Sequence, residues 1–112
     1  MNDDDRFRLQ HMLAAAQETL TFIEGKTRES LNTDRGLVLI LIQEITIIGE
    51  AASKVSAECR ASTPQIPWVL ITGMRNRLIH AYFDVNLDII WNTAVKRLPE
   101  LITQLEQLLT NE

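Results

Sequence analysis

An all-α fold, a helical bundle of four to five helices, follows from three features of the sequence. Apolar residues recur at three- and four-residue steps along most of the chain, no two segments read as strands that could pair, and four glycines and three prolines leave few breaks. The 112 residues are 46% apolar and 23% charged, which is the make-up of one globular domain covering residues 1–112. A chain of this length buries roughly 60 to 70% of its unfolded surface, enough for a core without staples.

The first helix is expected over Asp4 to Lys26, where Leu9, Leu13, Ala16, Leu20 and Ile23 form a stripe. Asp3, Asp4 and Asp5 suit its positive N-terminal end, and Gly25 sits near its stop. Thr27 to Asp34 is polar and reads as a loop with room for one helical turn. From Arg35 to Glu58 apolar side chains point in nearly every direction, which predicts a central helix buried on most sides, with a second copy of the chain against its remaining face.

Ser62, Thr63, Pro64 and Pro67 mark the clearest break. Pro67 can open the next helix, where its missing N–H is harmless, and that helix is predicted from Trp68 to about His80 with Gly73 as a weak point. Asn86 is placed to cap a last helix, with Asp88 in its first turn. The stripe Leu87, Trp91, Ala94, Leu98, Leu101, Leu105 and Leu108 continues to the end, and Pro99 predicts a kink or two collinear segments.

Several function classes are disfavoured. Met1 to Arg8 has no apolar core of a secretory leader, and the longest apolar run, Leu37 to Ile42, is far short of the roughly 20 residues that span a bilayer. A lone Cys59 fits a reducing compartment, so a cytoplasmic location without membrane attachment is expected. There is no Gly-rich phosphate loop, and the two histidines, His11 and His80, lie on different elements, so neither a metal nor another cofactor is expected. His11 reads as a partly exposed structural residue.

The formal charge of -4 opposes sequence-independent coating of nucleic acid, yet it hides an asymmetry. All fifteen acids lie in Met1 to Glu58 or Asp84 to Glu112, whereas Cys59 to Phe83 holds Arg60, Arg75, Arg77 and His80 and no acid. An anion would be met in that stretch.

Within it, Met74 to Phe83 concentrates polar groups in apolar surroundings. On a helix, Asn76 and His80 share a face at i and i+4, and Arg75 lies within side-chain reach. Together they offer a fixed cation, an amide and a proton carrier that titrates near neutrality. Those are the parts of metal-free RNA cleavage: a base for the 2′-hydroxyl, a cation for the charge growing on the phosphate, and an acid for the leaving 5′-oxygen. One chain has one suitable histidine, so the chemistry calls for a two-fold dimer with a composite site. The same spacing also suits a structural helix whose Arg75 pairs with an acid such as Glu50, and an ordinary packing role for Tyr82.

Ile47 to Ala52, Ile66-Pro67-Trp68, Gly73 to Phe83 and Asp88 to Trp91, in that order, closely resemble the HepT-like branch of the HEPN family. The resemblance covers most of the chain, and Arg75 to Tyr82 is its most specific part. It implies a dimeric helical bundle whose Arg-x4-His motifs face a shared cleft, acting as a metal-independent ribonuclease toxin of a type VII-like toxin–antitoxin pair. Arg75 and His80 would be the catalytic pair, with Asn76 and Arg77 in support. Tyr82 would be the tyrosine that a partner antitoxin, a nucleotidyltransferase of the MntA type, modifies with AMP. Such an anionic group two residues from His80 would block the cleft and repel RNA. Asn86 stands where an Asp is expected, though both cap helices well. Glu50 is expected to be structural, holding Arg75 or the motif helix. The competing reading is a non-catalytic helical subunit that presents substrate to, or is regulated by, a nucleotidyltransferase.

Overall fold

The computed structural model describes residues 1–81 and 84–111, with 79–81 described by their backbone alone. The chain runs α1 (Asp3–Ile23), α2 (Ser30–Thr33), α3 (Arg35–Ser53), α4 (Ala57–Ser62), α5 (Trp68–Thr72), α6 (Met74–Leu78), β1 (Ile79–Ala81), β2 (Asp84–Val85), α7 (Leu87–Asn92), a π-helical turn (Thr93–Arg97) and α8 (Leu98–Thr110). The fold is mostly helical, as the apolar periodicity predicts.

Local chemistry sets the ends of the long helices. The Asn2 side chain accepts from the Asp5 N–H at 2.7 Å and opens α1, and Gly25, with φ of 73°, turns the chain away after it. The buried face of α1 is Leu9, Met12, Ala15, Ala16 and Thr19, with Leu13, Leu20 and Ile23 half-buried beside it. Asp34 caps α3 through the Leu37 N–H at 3.0 Å. This helix ends at Ser53 rather than Glu58, because Ser56 caps a new helix, α4, through the Cys59 N–H at 3.1 Å.

α3 packs against α1, α5, α6 and α7, and Leu41, Ile45 and Ile48 along it are fully enclosed. Its 19 residues are long and apolar enough to cross a membrane by length and composition, but half of that stretch lies inside the bundle. α1 also packs on α8, where Leu98, Leu101 and Leu105 complete the core. The start of α1 is tied to the start of α4 by Asp5, a buried carboxylate that accepts from the Ser56 N–H at 2.9 Å and its hydroxyl at 2.6 Å. These bonds hold the Asp5 carboxyl below the usual carboxylate range.

Two further expectations are corrected. The predicted helix from Trp68 to His80 is instead two short helices and a strand. Gly73 ends α5, its N–H reaching the Val69 carbonyl at 3.2 Å, and α6 stops at Leu78. β1 then pairs antiparallel with β2, Ile79 opposite Val85 and Ala81 opposite Asp84. The Asn86 N–H donates to the Leu78 carbonyl at 2.7 Å, so pairing with the returning chain satisfies a group that helical continuation would have used. Further along, Ile90 is fully buried while Trp91 is half-buried, so the seam of α7 is turned from the expected stripe.

At Pro99 the chain stays helical, α7 running through a π turn into α8. The Leu98 N–H bonds back five residues to the Thr93 carbonyl, just before a proline that has no N–H to give.

One polar group sits awkwardly in this core. Glu44 on α3 is buried, one carboxyl oxygen has no partner among the described residues, and Glu18 on α1 faces it. Burial first, and then Glu18, push the Glu44 carboxyl up to about 7 from an ordinary 4.5. The folded chain therefore holds a proton that the unfolded chain releases, and stability falls as pH rises from about 4.5 to about 7. Glu44→Gln should remove that fall and make the chain more stable at pH 8 by on the order of 2 kcal/mol, measured as urea midpoints at pH 5 and pH 8. Parallel profiles for the two proteins would refute the assignment.

Candidate active site

Five residues of α6 divide between core and solvent. Met74 and Leu78, four apart, are buried and anchor the helix, while Arg75, Asn76 and Arg77 are exposed. Close packing beneath sets where this anchor lies. Gly49 on α3 sits under the end of α5, where a Cβ would lie 3.3 Å from the Ile71 carbonyl oxygen and 3.6 Å from that of Thr72.

Arg75, Asn76 and Arg77 make no hydrogen bond or ion pair among the described residues. The expected tie between Arg75 and Glu50 is therefore not found, and Glu50 is itself exposed on α3. An arginine kept in solvent without a carboxylate partner retains all its donors for an anion.

His80 does not lie on the motif helix. Its backbone belongs to β1 and occupies the point where the register slips between Ile79 and Ala81, the extra residue of a bulge. Asn76 and His80 are thus not successive-turn neighbours on one helix face. The chain between Arg75 and His80 is still short. Three helical steps and two extended ones place their Cα atoms no more than about 12 Å apart. Tyr82 lies outside the described residues.

Two of the four cationic positions in the acid-free stretch have other surroundings than the motif reading expects. Arg60 is structural: its Nη2 donates to the Ala52 carbonyl at 2.8 Å near the end of α3, and its guanidinium lies 5.8 Å from the Trp68 ring. Trp68 in turn donates through Nε1 to the Thr63 hydroxyl at 3.1 Å, fixing the turn that leads into α5. Arg77 is two residues beyond Arg75, about 200° around the helix, and lines a separate cleft.

That cleft, about 500 Å³, lies between α6, α7 and the π turn. Lys96 and Arg97 line it with Arg77. The sequence reading passed over these two, whose only mark is a dibasic pair shortly before Pro99. His11 is exposed and stacks on Phe7 with ring centres 4.3 Å apart, in keeping with a structural role.

Comparison with known proteins identifies the family. The family model described as Ribonuclease HepT-like matches residues 12–108. A protein of Caldanaerobacter subterraneus subsp. tengcongensis, TTE0752, named among the RNases, is 36% identical over 93% of this chain and 93% of its own length. A Thermococcus cleftensis protein named for ribonuclease HepT is 34% identical over 81% of this chain and 86% of its own. MJ0127 of Methanocaldococcus jannaschii, also named among the RNases, is 27% identical over 95% of this chain and 88% of its own. No solved structure matches.

Proposed function

The chain belongs to the HepT-like ribonuclease family, and on that premise we propose that it is a metal-independent endoribonuclease toxin of a type VII-like toxin–antitoxin pair. The observation that carries this reading is Arg75, exposed and unpaired on a helix whose end leads within two residues to His80.

In the proposed reaction a histidine removes the proton of a 2′-hydroxyl, whose oxygen attacks the adjacent phosphorus. Arg75 stabilises the negative charge that grows on the non-bridging oxygens, Asn76 and Arg77 support the strand, and the 5′-oxygen departs with a proton from a second histidine. The bond formed closes a 2′,3′-cyclic phosphate and the bond broken frees a 5′-hydroxyl. No metal or other cofactor takes part.

Two histidines require two protomers, and the proposed homodimer has surface suited to it. Leu39 and Ile40 stand exposed on α3, and a groove of mixed character, lined by Leu39, Ile42, Val85 and Leu87 together with Asn32, Thr33 and Arg35, borders the hairpin that carries His80. Silencing is assigned to a nucleotidyltransferase antitoxin of the MntA type that transfers AMP from ATP to the Tyr82 hydroxyl and releases pyrophosphate.

Arg75→Ala and His80→Ala should each lower RNA cleavage by at least about a hundredfold without changing the far-ultraviolet spectrum, and the wild type should cut equally well in excess chelator. A non-catalytic regulatory subunit would cut no RNA in any of these forms. Leu39→Glu combined with Ile40→Glu should give monomers that have lost cleavage, read by light scattering beside the activity; an active monomer would refute the composite site. Incubation with the cognate nucleotidyltransferase, ATP and magnesium should add AMP mass on the tryptic peptide containing Tyr82, and mass on any other residue would reject that assignment.

A further inference from the structure

The cleft beside α6 has the make-up of a ligand site, and of its lining residues the proposed cleavage chemistry uses only Arg77, in support. Arg77 lines it from α6, and Lys96 and Arg97 line it from the π turn. None of the three has a hydrogen bond or ion pair among the described residues. The single opposing charge in the lining is Glu100. Three free cations around one cavity repel each other unless an anion joins them, so the arrangement favours a phosphate-bearing ligand.

The rest of the lining is different in kind. Leu70, Met74 and Ile89 contribute apolar groups, and the Asn92 amide offers a donor and an acceptor. A base can lie against such apolar groups while its phosphates meet the cations. The groove also continues beyond one nucleotide. A second cavity of about 200 Å³ shares Leu70, Met74, Arg97 and Glu100 with the first and reaches Gln65 and Gln104. An elongated groove suits a strand better than a free mononucleotide.

The π turn explains why the cations meet here. The bond from the Leu98 N–H to the Thr93 carbonyl admits an extra residue into the turn ahead of Pro99, changing the direction in which Lys96 and Arg97 leave the rod. Arg75 and Arg77 depart from α6 about 200° apart, so the groove flanks the Arg75 surface instead of coinciding with it.

We propose that the Arg77, Lys96 and Arg97 groove is a second phosphate site, which holds the backbone of single-stranded RNA to one side of the bond that is cut. This rests on the ribonuclease reading and adds to it: the motif performs chemistry, while the groove supplies affinity for strands long enough to reach both.

The test measures binding of the full chain to a fluorescent single-stranded RNA with 2′-O-methyl riboses, which lacks the nucleophile and stays intact. Lys96→Ala combined with Arg97→Ala should weaken binding at least tenfold. It should also reduce the slope of log affinity against log salt by about 1.4, from about 0.7 per lost contact. Lys26→Ala with Lys54→Ala removes the same charge from other exposed positions and should leave affinity and slope near wild type. Unchanged binding by the first pair, or equal loss from the second, would overturn the groove. Displacement of the RNA by AMP at equimolar concentration would instead assign the site to a free nucleotide and equally overturn it. Cleavage of unmodified RNA is scored in parallel. Failure of the wild type to cleave would remove the ribonuclease reading, while the salt slopes still decide whether the groove binds RNA.

Discussion

Burial of α3 is the constraint on which the other elements depend. Its apolar residues point in so many directions that a single neighbour cannot cover them, and α1, α5, α6 and α7 each take a share. Close packing then fixes positions at the functional end. Gly49 gives the backbone of α5 room to approach α3 at a distance no side chain would allow without displacement. α6, too short to be stable alone, is placed by Met74 and Leu78 entering the same core. Arg75 therefore owes its position to a helix on which it does not lie.

That dependence accounts for what the amino-acid order reveals and what it conceals. Local signals were sufficient for the long helices: the Asn86 cap is present through the Ile89 N–H at 3.0 Å, Gly25 ends the first helix region, and the polar stretch before Asp34 holds a single turn. The hairpin was hidden because β1 and β2 together comprise only five residues and their pairing is tertiary in origin. Helical periodicity through Leu78 reads on into Ile79 and His80 without a visible stop, since the group that ends the helix, the Asn86 N–H, arrives from eight residues later. The motif residues were thus identifiable by type and spacing, while their shared helix face was not.

Charge was legible in amount and not in allocation. Arg60 looked available for an anion, yet it bonds the end of α3 and lies near Trp68, so the acid-free stretch loses one of its cations to architecture. Arg28 is likewise engaged with Asp88 at 2.6 Å, linking the α2 turn to the start of α7. Arg75, Arg77, Lys96 and Arg97 remain in solvent without such partners among the described residues. A net charge of -4 is therefore compatible with an anionic substrate, because all the acids lie outside the segment that carries the motif.

The break between α6 and β1 also suits the proposed chemistry better than a continuous helix would. A helix fixes Arg75, Asn76 and His80 at one pitch on one rigid surface, which favours an anion lying along that surface. A bulged strand after a short helix separates the cation from the proton carrier while keeping them in one chain segment. In a two-fold assembly, the arginine and histidine that meet at one phosphate need not belong to the same protomer. Each copy must then hold its cation rigidly on the core and offer its histidine near an edge that a partner can approach. The exposed apolar face of α3 borders the same hairpin, so association and completion of the site would involve one surface.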